Sequence, residues 1–167
     1  MSSKPDEVDH IVAAWQDQRP DLNVAPLAVL SRVSRLAHHL DKARAAAFEA
    51  HDLESWEFDV LAALRRAGSP FCLSPSELLR QTMVTSGTMT NRIDRLSTSR
   101  LVTRQPDPTD GRGVLVQLTA EGLQRVDAAL SDLLAREESI LSSLSDDERT
   151  ALAGLLRQLI APFDQAE

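Results

Sequence analysis

Between Ser74 and Thr119 the chain gathers side chains able to read a nucleic acid. In the segment SGTMTNRIDRLSTS, the residues Ser86, Gly87, Thr88, Thr90, Asn91 and Arg95 are small or hydrogen-bonding. A backbone carrying them can approach base-pair edges closely, and Asn91 and Arg95 have the donors and acceptors to bond to those edges. A further arginine, Arg112, falls near the tip of PDPTDGRG, where it suits a phosphate or the minor groove, and Asp110 is placed to steady it. These residues need elements to hold them. Ser74, Pro75 and Glu77 spell a helix start with a capping box, which predicts a first helix over 74–81. A second start at Thr85 or Ser86 leads into a helix whose inward stripe is Met89, Ile93 and Leu96. After Leu101 the runs LVTRQ and VLVQLT read as two strands joined by a Pro, Asp and Gly loop. Two helices alone also read as ordinary helical packing; the hairpin that follows them makes the outline of a winged helix-turn-helix.

Overall charge is −7, with 25 acidic against 18 basic residues, and a uniformly acidic surface repels DNA. The distribution is not uniform. From Arg65 to Arg112 there are eight arginines and four acids, a local balance of +4 that leaves −11 for the remainder. No apolar run approaches the roughly 20 residues of a membrane span, and the acidic start lacks a secretory pattern, so a cytoplasmic protein with no membrane partner is expected. Cys72 is the single cysteine, which excludes an intramolecular disulfide and a zinc framework. It reads as a packed or idle thiol, with a switch between chains as the alternative.

Outside 53–119 the chain is helical. Residues 6–18 form a short helix ended by Arg19 and Pro20, and 26–50 carry Leu27, Leu30, Val33, Ala37, Leu40, Ala43 and Ala47 at helical spacing. A third helix, 54–66, carries Trp56, Val60, Leu61 and Leu64 and stops at Gly68. Past the hairpin, 120–144 and a final helix opened by the box of Ser145 and Glu148 make a helical pair. The expected architecture is mainly α with a small β-wing, in one compact unit. Residues 1–52 provide N-terminal helices for dimerisation and a ligand-site lid, 53–119 the DNA-binding region, and 120–167 C-terminal dimerisation helices. Long apolar faces at both ends are most simply buried against a second copy, which predicts a homodimer and a pseudopalindromic operator in double-stranded DNA.

The segments VTSGTMTNRIDRL at 84–96 and LVTRQPDPTDGRGVLVQLT at 101–119, set between terminal helices, resemble the MarR family of bacterial transcriptional regulators over nearly the whole chain. Arg100 departs from the resemblance, since most relatives place Gly there; it must adopt another helix ending or bear modest strain. Gly111 stands where relatives often carry Arg, which implies a weaker grip by this wing. WQDQRPDL at 15–22, SWEFDVLAALRRAG at 55–68 and TNRIDRL at 90–96 are similar to the urate-responsive branch, which has an added N-terminal helix. That resemblance implies a ligand site of Trp15, Asp59, Arg92 and Arg104, with the aromatic ring stacking on a purine and the arginines neutralising an anion. It further implies that Asp59 pairs with Arg92 or Arg104 until the ligand competes for them, which would shift the recognition helix and lower DNA affinity by linkage. The simpler alternative is a core-capping Trp15 and a static ion-pair network.

Two arginines serve trans-aconitate, citrate or a phenolic acid as well as urate, so the ligand class stays open among small anions. His38 and His39 on the long second helix suit either an acid-sensitive dimer interface or plain solvation. No catalytic residue, metal ligand or cofactor is expected. The chain has no phosphate-cradling glycine loop, no metal-ligand spacing and no nucleophile beside a base, which leaves an enzyme without support. A helical protein-interaction module without DNA binding is the remaining alternative. Repression released by ligand is the mode the family resemblance implies.

Overall fold

The computed structural model describes residues 4–82, 84–108 and 113–164. Asp110 and Arg112, expected at the wing tip, therefore lie outside the described residues. The chain divides into two compact units, 1–45 and 46–167.

In the first unit, α1 (Glu7–Gln18) starts on an Asp6 cap whose carboxylate accepts from the Asp9 N–H, while Asp9 returns the bond to the Asp6 N–H. Arg32 of α2 (Ala25–Glu49) donates to both carboxylates and fixes the start of α1 against α2. The stripe of α2 is only partly covered among the described residues, with Leu27, Leu40 and Ala43 half-buried. Val29 and Leu30 are exposed, and Val33 and Leu36 largely so. Only Ala47 and Phe48, in the last turn of α2 that belongs to the second unit, are fully buried.

The second unit holds the core. Its helix α3 (Ser55–Arg66) buries Phe58, Val60, Leu61 and Leu64, and Phe48 stacks on Phe58 at 4.1 Å between ring centroids. Gly68, at φ +77°, turns the chain out of α3. Next come β1 (Cys72–Leu73), α4 (Pro75–Thr82) and α5 (Ser86–Thr98). The hairpin pairs β2 (Val102–Pro106) with β3 (Val114–Leu118) antiparallel, Val102 facing Leu118 and Arg104 facing Val116. The strand β1 adds to the other edge of β3, giving the order β1-β3-β2. Two long helices follow, α6 (Ala120–Leu141) and α7 (Asp146–Asp164). The helix α6 stops three residues short of the 144 its apolar pattern suggested, in the serine pair Ser142 and Ser143 that precedes the next cap. No side chain of α7 is buried, and Leu155, Leu159, Ile160 and Phe163 are all at least half exposed. No described helix is long and apolar enough to cross a membrane.

The junction of α5 with the wing is close-packed. Arg100 has φ +60°, the left-handed conformation that glycine enters without cost, and it ends α5 in place of one. The Leu101 N–H bonds back to the Leu96 carbonyl and the Arg100 N–H to that of Ser97, a Schellman ending. Gly122, in the first turn of α6, sits so close that an added Cβ would lie 2.1 Å from the Leu101 carbonyl oxygen. That oxygen belongs to backbone and cannot yield. Gly122→Ala is accordingly expected to lower the unfolding free energy by at least about 2 kcal/mol in denaturant titrations. Arg100→Gly is expected to raise it by about 0.5–1 kcal/mol, the strain relieved less the entropy that glycine adds to the unfolded chain.

Two helix starts tie stability to carboxylate charge. Glu77 accepts from the Ser74 N–H at 2.7 Å and from its hydroxyl at 2.8 Å, and Glu148 repeats the arrangement on Ser145. The backbone bond first, then the hydroxyl, holds each carboxyl below its ordinary 4.5. A lowered folded value means stability that is fully present above 4.5 and lost as pH falls through the folded values. Melting temperature should thus drop between about pH 5 and pH 3, and Glu77→Gln should flatten that drop. Parallel curves for variant and parent would assign the acid sensitivity elsewhere.

Candidate nucleic-acid interface and anion site

The interface is built on α5. Thr85 caps it, its side-chain oxygen accepting from the Thr88 N–H. Met89, Ile93 and Leu96 are essentially fully buried, so the helix is seated on the core along one stripe. The opposite side is open: Ser86, Gly87, Thr88, Thr90, Asn91 and Arg95 are all exposed. Local bonds shape that face. Thr90 donates its hydroxyl to the Ser86 carbonyl, and the hydroxyls of Thr85 and Thr88 meet at 2.9 Å. Both Thr90 and Thr88 keep acceptor capacity for an incoming donor.

Arg95 is half exposed, and it is anchored. Its Nη2 donates to Glu54 Oε1, and its guanidinium carbon lies 4.6 Å from the centroid of the Trp56 ring. The Trp56 Nε1–H donates to the other Glu54 oxygen at 2.8 Å. That bond first, then the one from Arg95, holds the Glu54 carboxyl below its ordinary range. Sequence reading missed Glu54 and Trp56 as partners of Arg95, because 41 positions separate the salt-bridged pair. The only available signal was Trp56 on the outer edge of an otherwise buried stripe.

Three of the four anion-site candidates lie in the second unit. Asp59 is an exposed residue of α3, Arg92 a half-buried residue of α5 and Arg104 an exposed residue of β2. Arg104 is in an ion pair with Asp94 of α5 at 2.6 Å, an acid that the sequence reading left out of the site. Arg92 lies with its guanidinium carbon 5.5 Å from the Trp56 ring centroid, so both arginines of α5 share one aromatic partner. Trp15 belongs to the first unit, where it is half exposed and lines a shallow apolar recess with Ile11, Ala14 and Gln18. His38 and His39 line a separate recess on α2 with Arg35 and Lys42.

The basic character of the reading segment is partly consumed inside the fold. Arg65 pairs with Asp127, Arg95 with Glu54 and Arg104 with Asp94. Each of these pairs is substantially exposed and screened by solvent, so a phosphate can compete for the arginine. Among the described residues no group of His, Cys, Asp and Glu is placed to hold a metal ion.

Comparison with known proteins places these features in a family. Residues 51–113 match the MarR family model. The chain is 39% identical to the HTH-type transcriptional regulator PecS of Dickeya dadantii over 150 residues, covering 90% of each chain. It is 33% identical to the HTH-type transcriptional repressor NicR of Pseudomonas putida over 149 residues, covering 87% of this chain and 92% of NicR. Among solved structures, a MarR family transcriptional regulator from Streptomyces coelicolor aligns with a TM-score of 0.65 at 26% identity, over 86% of this chain and 96% of that one. BpsR of Bordetella bronchiseptica, whose DNA binding is regulated by 6-hydroxynicotinic acid, aligns with a TM-score of 0.58 at 29% identity, over 77% of this chain and 98% of BpsR. The small three-stranded sheet, the buried stripe of α5 and these likenesses agree: the chain belongs to the MarR family of winged helix-turn-helix transcriptional regulators.

Proposed function

We propose that this protein is a homodimeric repressor that binds a pseudopalindromic operator through α5 and the wing, and that a small anion, urate in the first instance, releases it. The observation that carries the reading is α5 itself. A 13-residue helix seated by Met89, Ile93 and Leu96 presents Ser86, Thr88, Thr90, Asn91 and Arg95 outward, the chemistry a major-groove helix requires. Asp110 and Arg112 complete the proposed DNA set at the wing. Dimerisation is supported by the exposed apolar side chains of α2 and α7, among them Val29, Leu30, Leu155, Leu159, Ile160 and Phe163.

Release by an anion is supported by the chemistry of Trp15, Asp59, Arg92 and Arg104. Two guanidinium groups suit a planar anion, and the exposed ring of Trp15 offers a stacking face. Arg92 sits on the same helix as Arg95 and Asn91, so a ligand that draws on Arg92 acts directly on the reading helix. Regulation of BpsR by a hydroxylated aromatic acid supports a planar anion over a flexible tricarboxylate.

The test is a titration of the protein onto DNA from upstream of its own gene. Asn91→Ala and Arg95→Ala should each weaken binding by about 1–3 kcal/mol. Unchanged binding in both variants would remove α5 from the interface. Urate, trans-aconitate, citrate and salicylate are then added in turn. Urate is expected to displace the DNA from the parent protein and not from Trp15→Ala or Arg92→Ala; displacement that survives both substitutions would eliminate the proposed site.

A further inference from the structure

Arg95 is the cation of the reading helix that the fold takes most care to place. A free surface arginine samples many rotamers, and a contact it makes with DNA must first overcome that freedom. Here two groups restrict it. The centroid of the Trp56 ring lies 4.6 Å from the guanidinium carbon and bounds the group on one side, and Glu54 takes Nη2 at one corner. Both come from the start of α3, which is itself fixed: the Glu54 N–H donates to the buried Glu57 carboxylate, and Phe58, Val60 and Leu61 follow in the core.

The geometry distinguishes a holder from a mask. A carboxylate that closed over the guanidinium with both oxygens would compete for the whole fork. Glu54 does not, because its Oε2 is engaged by the Trp56 Nε1–H and only Oε1 meets Arg95. Nη2 is the one nitrogen of Arg95 committed to a hydrogen bond among the described residues, and the side chain is 52% exposed. The remaining donors make no hydrogen bond among the described residues and stay available on a half-exposed group.

We infer that Glu54 and Trp56 are positioning residues that hold Arg95 in its DNA-contacting pose. This rests on the reading of α5 as the DNA-recognition helix. It assigns to the start of α3, outside the helix-turn-helix, a share in operator affinity.

The sign of one substitution tests it. Glu54→Gln removes a negative charge beside the DNA face, which by electrostatics alone tightens binding. Positioning requires the opposite: operator-fragment affinity should fall by about three- to ten-fold, the cost of ordering one long side chain at an interface. In an Arg95→Ala background the same substitution should no longer weaken binding. Trp56→Leu, which removes the ring face, should weaken the parent by a similar factor; should it fail to fold, the exposed Glu54 variant still decides, with its melting temperature as the control. Binding of Glu54→Gln that equals or exceeds the parent's overturns the inference, as does an equal loss in the Arg95→Ala background. Either result leaves α5 as a DNA-reading helix. If the parent binds the upstream fragment no better than a scrambled duplex, that reading falls and the inference falls with it.

Discussion

The carbonyl oxygens of Arg100 and Leu101 join the elements that a winged unit must hold together. The Arg100 oxygen accepts from the Thr119 hydroxyl, and the Leu101 oxygen accepts from the Thr119 N–H and hydroxyl. Thr119 in turn caps α6 by accepting from the Gly122 N–H at 2.9 Å. The end of α5, the first residue before β2, the end of β3 and the start of α6 thus meet within one set of bonds. That junction needs Arg100 at positive φ to bring the chain around, and it needs Gly122 without a side chain to let α6 approach. Because both requirements are backbone ones, they transmit position stiffly. A movement of α5 at its last turn must be shared by the wing and by α6.

Side-chain electrostatics act on top of this frame with much smaller energies. The Asp94–Arg104 pair bridges α5 to the first wing strand, and the Glu54–Arg95 pair bridges α5 to α3. Both are exposed, and solvent screening keeps such pairs weak. They are too weak to determine the fold. They are strong enough to set the pose of an arginine, and weak enough that a phosphate or an anionic ligand can exchange with the carboxylate. Arg92 and Arg95 share the Trp56 ring, their guanidinium carbons 5.5 Å and 4.6 Å from its centroid.

How much of this was legible in the sequence depended on the range of the interaction. Local signals were read well. The Ser74–Glu77 and Ser145–Glu148 boxes are present as hydrogen bonds, the stripe Met89, Ile93 and Leu96 is buried, and the oddity of Arg100 corresponds to a left-handed residue. The strand β1 was missed because Cys72 and Leu73 are too few to show alternation, and only their pairing with Gln117 and Val116 makes them a strand. Gly122 was missed because a glycine in a first helical turn carries no mark of what approaches it. The partners of Arg95 and Arg104 were missed for a related reason: charge counts register an arginine as free charge, and the tertiary fold decides which acid faces it.

The acid content of the chain then takes on a more specific meaning than overall repulsion. Had the eight arginines between Arg65 and Arg112 been unpaired, the segment would attract any polyanion, and discrimination among sequences would depend on base contacts alone. Pairing Arg65, Arg95 and Arg104 with Asp127, Glu54 and Asp94 lowers the net field while keeping each guanidinium in a defined place. Non-specific attraction scales with net charge, whereas a specific contact scales with how well the donor is already oriented. Carboxylates placed beside arginines reduce the first and improve the second, so an acidic protein with a reading helix is a consistent physical design.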